Sequence, residues 1–495
     1  MAVIQFADWT PDAADIGSSG AITVTNAVPS RTGYQPFGAL SIVTAAISAR
    51  PIGGIEAFDN SGTSYQYVGD AGNLYELNEN DLTWTEVSKA ATTYATASTD
   101  YWEFVRWENK VLGVNFADNP QQITFGGANF TDLTTAFKAR HITVIGDFVV
   151  MGNTYDGSDG NVPNRVRWSA QGDETDYTVS TSTLSDYRDL TTGGAIQKIL
   201  GGEVGIIISE RSVFRMSYIG APVVFQIDEV MPDIGTPSPG SVCRLGDSVY
   251  FLSSQGFIEL IGNGTGINYI GAGKVDRFFL GDLDPDYYHR MSCISDPTTN
   301  RIAWAYPGSG NTSGRPNKII IYDRTFQKWA LIEEEVEFLL RAKGIGVTLD
   351  ELDSLGYTNI DTMDVSLDSA LFKVSANQFG AFDEDYKLGF FRGNAKTATL
   401  ITQETELNAG YNTFLTAFRP LVDMGTVTAR VGHRARLSDD VTWTSSLSQS
   451  TSGRFTQRVN DRFHRFELTV SGSDWTDAIG VIVDPKDARR GSGRA

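Results

Sequence analysis

The chain has 495 residues, with 60 acidic and 40 basic side chains and a formal net charge of −20. Hydrophobic residues make up 41% of it and aromatic residues 11%, which excludes an intrinsically disordered protein and leaves room for more than one core. The charge argues against non-specific nucleic-acid binding over most of the surface, because phosphates need cations.

The charge is unevenly distributed along the chain. From Arg419 to the end there are 12 basic and 9 acidic side chains, net +3, so the remaining residues carry 28 and 51, net −23. This is either ordinary surface variation or a basic C-terminal module that docks on an acidic neighbour. The acidic charge does not exclude DNA as a passenger, because an interior that passes DNA without gripping it would also be acidic.

Only two cysteines occur, Cys243 and Cys293, and both lie in strand-like sequence. A secreted fold held by disulfides would carry more, so we expect two reduced, buried thiols. The first residues lack the basic and apolar regions of a signal peptide, and no run reaches 18 apolar residues. The sequence therefore predicts no membrane span and synthesis in a cytoplasm.

Residues 1–50 are predicted to form an N-terminal arm. Prolines punctuate the segment, and residues 22–25 are its one clear strand. Such a segment cannot bury a core of its own. We therefore expect it to lie against the main body or a neighbouring subunit.

From residue 51 onward, a turn followed by a short hydrophobic strand recurs. The turns at Asn109, Gly146, Gly202, Gly246 and Asn300 are 37, 56, 44 and 54 residues apart. A loose repeat of roughly 50 residues, with about four strands per period, is typical of β-propeller blades. We predict an all-β fold with a propeller of six or seven blades over residues 51–393.

Runs of apolar residues within the repeat, such as 205–208 and 318–322, predict inner strands that adjoining blades bury on both faces. Residues 333–364 break this pattern. Thr348 and Glu351 form a capping box there, and Gly356 follows as a stop signal, so we expect a short helical insertion.

Residues 394–495 return to alternating apolar and polar side chains, with arginines at polar positions of 430–437. A sheet with one face in water has this pattern. We predict a small β-sandwich-like C-terminal module, or strands that complete the propeller ring.

No recognisable catalytic or metal-binding pattern is present. The four histidines share no ligand spacing, neither cysteine has a C-x-x-C partner, and no nucleophile elbow or phosphate loop occurs. Residues 156–161 resemble a calcium loop without its full spacing, and residues 282–286 alternate carboxylates near His289. Both are expected to be turns, and we predict no catalysis, no cofactor and no metal.

Several phrases resemble the tail hub or nozzle proteins of short-tailed bacteriophages, also called head-stabilisation or tail tubular proteins. The phrases are residues 9–12, 33–36, 164–169, 172–173, 210–215, 317–323 and 487–490. The resemblance covers most of the chain. The larger members of this family carry extra domains, so this chain would be a compact version.

The resemblance implies a virion protein of the tail, assembled in the host bacterial cytoplasm. Six copies are expected to form a ring below the portal and the adaptor, or head–tail connector. That ring continues the channel for double-stranded DNA as a passenger, retains packaged DNA and mounts fibres or spikes. Two other classes stay open: a carbohydrate-binding or carbohydrate-active propeller at a phage or bacterial surface, and a bacterial scaffold for protein partners.

Two groups of residues are candidates for docking between subunits. They are Trp9, Pro11 and Tyr34 in the arm, and Arg430, Arg434 and Arg436 in the C-terminal module. Exposed charge pairs contribute only about 0–1 kcal/mol each. A single change such as Arg434→Glu is therefore expected to weaken assembly modestly, and deletion of residues 1–40 to weaken it more.

Overall fold

The computed structural model describes residues 2–16, 20–342, 378–472, 475–484 and 488–494. Nearly all regular structure in these ranges is β-strand, which confirms the predicted all-β class. Within the same ranges the exceptions are α1 (Asp276–Asp282) and two short 3-10 helices, Pro239–Ser241 and Pro285–Arg290.

Five strands precede the first blade in the sequence. They are β1 (Ala2–Gln5), β2 (Ala21–Thr25), β3 (Ala27–Pro29), β4 (Tyr34–Pro36) and β5 (Gly38–Ala46). The sequence predicted only the strand that corresponds to β2. The others escaped notice because most of their pairing partners lie hundreds of residues away in the chain.

Six blades follow in chain order, each built on a four-stranded antiparallel meander. The first two are β6 (Gly53–Phe58), β7 (Ser64–Gly69), β8 (Leu74–Asn78), β9 (Thr83–Glu86), and β10 (Glu103–Trp107), β11 (Lys110–Val114), β12 (Gln121–Thr124), β13 (Thr131–Asp132). The third and fourth are β14 (Phe137–Ile145), β15 (Phe148–Asp156), β16 (Gly160–Trp168), β17 (Asp186–Asp189), and β18 (Ile196–Leu200), β19 (Val204–Ser209), β20 (Ser212–Gly220), β21 (Val224–Pro232). The fifth and sixth are β22 (Cys243–Leu245), β23 (Ser248–Ser253), β24 (Gly256–Ile261), β25 (Gly266–Tyr269), and β26 (Ser292–Asp296), β27 (Arg301–Tyr306), β28 (Lys318–Asp323), β29 (Lys328–Glu333).

The seventh blade joins the two ends of the ring. Its strands are β30 (Phe338–Ala342), β31 (Gln378–Phe382), β32 (Lys387–Ala395) and, from the N-terminal segment, β5. β5 runs antiparallel to β32 with Ser41 opposite Phe390, and β30 lies beside β6 of the first blade. The fold is therefore a seven-bladed β-propeller, closed by a strand from the segment that the sequence assigned to an arm.

The apolar runs form the second and third strands of the blades. Ile206, Ile207 and Ile208 of β19 and Ile320 of β28 are completely buried. The predicted burial on both faces is correct, but these strands are not the innermost ones. Innermost strands line the centre of the ring, so they mix polar with apolar residues and give a weaker sequence signal.

Ten strands follow the seventh blade. They are β33 (Ala398–Thr402), β34 (Thr405–Glu406), β35 (Tyr411–Val422), β36 (Thr426–Arg434), β37 (Thr442–Trp443), β38 (Leu447–Ser448), β39 (Phe455–Asp461), β40 (Phe463–Ser471), β41 (Ala478–Val483) and β42 (Ala488–Arg494). With β1–β4 they form two sheets. One has the order β3-β4-β41-β35-β39 with β1 and β42 alongside, and the other runs β2-β33-β40-β36-β37 and continues through β29 into the sixth blade.

The two sheets pack face to face as a β-sandwich. Phe418 of β35 meets Phe466 of β40 with ring centroids 5.0 Å apart, and both side chains are buried. The predicted C-terminal sandwich is confirmed, with the addition that N-terminal strands contribute to both of its sheets.

One hydrophobic core joins the sandwich to the fifth and sixth blades. It contains Phe257 of the fifth blade, Trp304 and Trp329 of the sixth, Trp9 of the N-terminal segment and Phe418 of the sandwich. The Phe257 ring lies 4.7 Å from that of Trp304 and 5.0 Å from that of Trp329. Full burial of a large apolar side chain contributes about 1.5–3 kcal/mol, so this core binds the propeller and the sandwich to each other.

The N-terminal segment therefore lies against the main body of the same chain, which is one of the two places expected for it. β1–β4 belong to the sandwich, and β5 belongs to the propeller. Of the predicted helical insertion at 333–364, the described part contains the end of β29 and all of β30, which is a blade strand. The capping box at Thr348 and Glu351 lies outside the described residues.

Candidate binding site at the centre of the propeller

Two adjoining cavities lie at the centre of the ring, close to where most of the innermost strands begin. The smaller has a volume of about 280 Å³ and is lined by residues from all seven blades. The other, of about 530 Å³, shares Asp100, Tyr101, Pro239 and His289 with it. A concave site with convergent polar groups is the first place to expect a ligand.

Glu103, the first residue of β10, ties three blades together. Its Oε1 accepts a hydrogen bond from Lys198 Nζ at 2.7 Å and lies 3.0 Å from His141 Nδ1, and its Oε2 accepts from the backbone N–H of Ile142 at 3.2 Å. His141 Nε2 lies 3.1 Å from the carbonyl oxygen of Ile196. Burial opposes ionisation of Glu103, but Lys198 and then His141 outweigh it and lower the carboxyl pKa to about 2. The carboxylate therefore stays charged and links the second, third and fourth blades.

Glu337, just before β30, forms a second network. Its buried carboxylate pairs with Arg290 through Oε2, and its Oε1 accepts from Arg315 Nε at 2.8 Å. Arg315 also pairs with the exposed carboxylates of Glu335 and Glu384. A single buried carboxylate thus faces two guanidinium groups between the sixth and seventh blades.

Arg50 and His289 line the same cavity as these networks. The Arg50 guanidinium donates from Nη2 to the carbonyl oxygen of Ser98 at 3.2 Å, and it forms no ion pair with any residue that the structure describes. Burial and then the nearby Arg290 lower the pKa of Arg50 to about 10. Burial, followed by Arg50 and Arg290, also lowers the pKa of His289. Three basic side chains therefore lie close together in one cavity.

The docking residues predicted in the N-terminal segment are mostly inside the chain. Trp9 and Tyr34 are buried in the shared core. Trp9 Nε1 donates to the carbonyl oxygen of Ile22 at 3.1 Å, and the Tyr34 hydroxyl donates to that of Trp329 at 3.3 Å. Pro11 lies half-buried in a turn. The prediction that Trp9 and Tyr34 contact a neighbouring subunit is wrong, because their segment finds its partners within the same chain.

The three predicted arginines have three different environments. Arg434 is buried, and its Nε donates to Glu404 Oε1 at 2.8 Å, so it too is not available for docking. Arg430 is half-buried and pairs with Glu467 at 2.7 Å. Arg436 is exposed. Of these three arginines, Arg436 is the one classed as exposed, and it stays a candidate for the predicted contact with an acidic neighbour.

The loop that resembles a calcium site holds an arginine. Arg165 Nη1 donates to Asp159 Oδ2 at 2.6 Å and to Asp156 Oδ2 at 3.4 Å, and its Nε donates to Asp189 Oδ1 at 2.7 Å. The Tyr187 ring lies 4.2 Å from the guanidinium carbon. The guanidinium engages the carboxylates that a metal ion would need, and the segment is a hairpin turn as predicted.

The alternating carboxylates at 282–286 do not converge. Lys318 Nζ donates to both carboxylate oxygens of Asp282 at 2.8 Å. Asp284 instead caps a 3-10 helix, where its Oδ1 accepts from the backbone N–H of Asp286 at 3.1 Å. His289 lines both central cavities, and of these carboxylates only Asp286 lines the larger one with it.

Among the described residues, no three His, Cys, Asp or Glu side chains are grouped so that they could hold a metal ion. In the same part of the chain, no helix has the length and apolar character needed to cross a membrane. Cys243 and Cys293 are free thiols, and burial, then the Cys243 thiol, raises the pKa of Cys293 well above its usual value.

The residues of the central cavity were not identified from the sequence. Arg50, Glu103, Lys198, Arg290 and Glu337 come from segments that are far apart in the chain. The one available signal was their shared position, because each lies close to the start of an innermost strand.

The fold and the site together define a seven-bladed β-propeller joined to a β-sandwich, with a polar cavity at the centre of the ring. No protein-family model and no curated protein matches the chain.

Three solved structures illustrate the similarity. An extracellular domain, described as part of a hybrid two-component system from B. thetaiotaomicron, matches with a TM-score of 0.40 and 12% identity over 78% of this chain and 43% of that one. BamB from Moraxella catarrhalis matches with a TM-score of 0.37 and 11% identity, over 73% of this chain and 92% of that one. YCF48 bound to D1 peptide matches with a TM-score of 0.34 and 10% identity, over 61% of this chain and 93% of that one. This chain thus covers less than half of the first of these, and matches at this level carry no inference about function.

Proposed function

We propose that the chain is a structural subunit of a bacteriophage tail, a nozzle or hub protein of which six copies form a ring below the portal and the adaptor. The ring continues the channel for double-stranded DNA, retains the packaged DNA and mounts fibres or spikes. This role needs no catalysis, cofactor or metal. The proposal rests first on the sequence phrases that resemble this family.

The structural observation that carries the proposal is the core shared by the propeller and the sandwich. Trp304, Trp329 and Phe418 belong to one continuous cluster, and the sixth blade continues into the sandwich as one sheet. A subunit that retains DNA under load has to keep its parts in fixed positions. A shared core and a shared sheet fix the propeller and the sandwich to each other, because separating them would expose the core and break the sheet.

The net charge of the chain and the size of its central cavity both support DNA as a passenger that passes outside the propeller of each subunit. The net charge of −20 disfavours phosphate binding. The central cavity of about 280 Å³ is too small for a duplex, whose major groove alone is about 12 Å wide. The DNA channel therefore has to be enclosed by several subunits together.

Electron microscopy of the purified full-length chain, with native mass spectrometry, tests the proposal. We expect a six-fold ring with a central hole, formed by the chain alone or on addition of a head–tail adaptor. A chain that stays monomeric with and without the adaptor would contradict it.

The carbohydrate-binding alternative has one observation in its favour. Tyr155, Tyr218 and Tyr269, on the third, fourth and fifth blades, are between 43% and 47% exposed. Aromatic side chains exposed in this way can stack on sugar rings. A glycan array separates the two proposals, because saturable binding that is lost on changing these tyrosines to alanine favours the alternative, and its absence favours the nozzle.

A further inference from the structure

The carboxylates that line the smaller central cavity are already paired with cations other than Arg50. Asp100 pairs with Arg140, Glu103 with Lys198 and Glu337 with Arg290. Within the described residues, the Arg50 guanidinium has only the carbonyl oxygen of Ser98 as a hydrogen-bond acceptor. Arg50 therefore forms no ion pair with any described residue, and the nearby Glu337 only partly offsets the burial of its charge and the repulsion from Arg290.

Further hydrogen-bond donors lie beside Arg50. Arg290 and His289 line the same cavity, and Glu337 divides its charge between Arg290 and Arg315. The Nε of Arg290 is buried and has no hydrogen-bond partner among the described residues. Burying a charge without a counter-charge or hydrogen bonds is costly, and an anion in the cavity would remove that cost.

The donors match a particular chemistry. A guanidinium presents five N–H donors in a planar fork, which binds carboxylate or phosphate oxygens bidentately. Arg50 uses one donor group for Ser98, so the rest of its fork is available to a ligand in the cavity. A volume of about 280 Å³ accommodates a small molecule but not a polymer.

We propose that the centre of the propeller binds a small oxyanion, a carboxylate or phosphate group, between Arg50, His289 and Arg290. Each carboxylate of the lining has a cation of its own, so Arg50 is the charge on the cavity wall that a negatively charged ligand would neutralise. The site does not depend on the proposed virion role, because it lies within a single subunit and can be measured in any assembly state.

Isothermal titration calorimetry of the full-length chain tests the site, with inorganic phosphate as the ligand in one titration and acetate in a second. Sodium chloride serves as the control for ionic strength. We expect saturable binding of at least one of the two anions, and the anion that binds shows whether the site takes a phosphate or a carboxylate group. Arg50→Gln should weaken binding at least tenfold and His289→Asn less, whereas the exposed control Arg436→Gln should leave it unchanged.

Two results would overturn the proposal. One is the absence of saturable binding of both anions to the wild-type chain. The other is equal affinity in the wild type and in a correctly folded Arg50→Gln variant. Should Arg50→Gln fail to fold, His289→Asn and Arg50→Lys replace it, and unchanged affinity in both variants would be equally decisive against the site.

Discussion

Arg434 and Arg436 are two residues apart, yet one is buried and the other exposed. Arg434 pairs with Glu404, whose side chain has no exposed surface, and with Asp15. Removing one partner of a buried pair leaves an uncompensated charge and costs about 3–5 kcal/mol. Arg465 also contacts Glu404 and would partly compensate its charge. We therefore expect Arg434→Met to lower the free energy of unfolding by an amount near the lower end of that range.

Arg436→Met is the matched control, and it should change the free energy of unfolding by no more than about 0.5 kcal/mol because the side chain is exposed. Urea unfolding of both variants measures the difference. Equal stabilities would contradict the role assigned to Arg434. The earlier expectation for Arg434→Glu changes accordingly, since a carboxylate beside buried Glu404 should impair folding before it affects assembly.

His464 predicts a sensitivity to acid. Burial lowers the pKa of this imidazole to about 4 from 6.5, with His433 adding to the effect and Asp461 opposing it. Because the folded pKa is the lower one, the unfolded chain binds the proton more readily, and stability is lost as pH falls from 6.5 toward 4. The loss from this residue is about 3 kcal/mol. Urea unfolding at a series of pH values should show a shallower pH dependence for His464→Leu than for the wild type, and identical profiles would rule the contribution out.

At the scale of elements, the closure of the ring depends on β5 and β32. A Cβ at Gly389 would lie 2.7 Å from the carbonyl oxygen of Ser41 and 3.0 Å from Ile42 Cδ1. Gly389→Ala should therefore force these strands apart and cost about 1–3 kcal/mol. Gly157→Ala is the control, because a Cβ there meets nothing within 4 Å. Hydrogen exchange should rise in β5 in the first variant only, and unchanged exchange in both would contradict this account of the closure.

Deleting residues 1–40 should impair folding itself. The deletion removes β1–β4 from the sandwich and the first residues of β5 from the seventh blade. It also removes Phe6, Trp9, Val24 and Tyr34 from the shared core. We expect loss of soluble, cooperatively folded protein, measured by circular dichroism and size-exclusion chromatography. A stable, folded monomer would show instead that the segment serves assembly alone.

The sequence predicted the local elements better than the distant ones. Five turns predicted the repeat, and each of them joins the first and second strands of one blade: Asn109, Gly146, Gly202, Gly246 and Asn300. β6, with Gly53 and Gly54 at its start, was missed because it carries few β-branched residues. β5 was missed because its partner β32 is more than 300 residues away, and no local pattern records such a pairing.

The central site was beyond sequence reasoning for a related physical reason. Its charged side chains come from five of the seven blades, and each one alone has the sequence pattern of an ordinary polar residue near the start of a strand. Arg50 gains its significance only when ring closure places it beside Arg290 and away from any free carboxylate. Trp9, by contrast, was recognised as important but assigned to the wrong surface, since burial within the chain and burial between chains leave the same sequence signal.

At the scale of the whole molecule, the distribution of charge predicts how the chain treats DNA. The net charge is −20, and the segment from Arg419 onward is net +3. Part of that basic excess is already neutralised within the chain, because Arg434 pairs with Glu404 and Arg462 with Glu406, two carboxylates that lie outside the segment. Few cations therefore remain for phosphates, and the acidic remainder repels them over about 10 Å at moderate salt.

We accordingly expect no retardation of a short DNA duplex by the purified chain at near-physiological salt, and at most weak binding at low salt. An electrophoretic mobility assay over a range of salt concentrations measures this, with a basic DNA-binding protein as the positive control. Tight binding whose logarithmic affinity falls steeply with the logarithm of salt would reveal a phosphate-binding patch. That result would contradict a channel wall past which DNA slides, because a wall that grips phosphates along its length would slow the passage of the duplex.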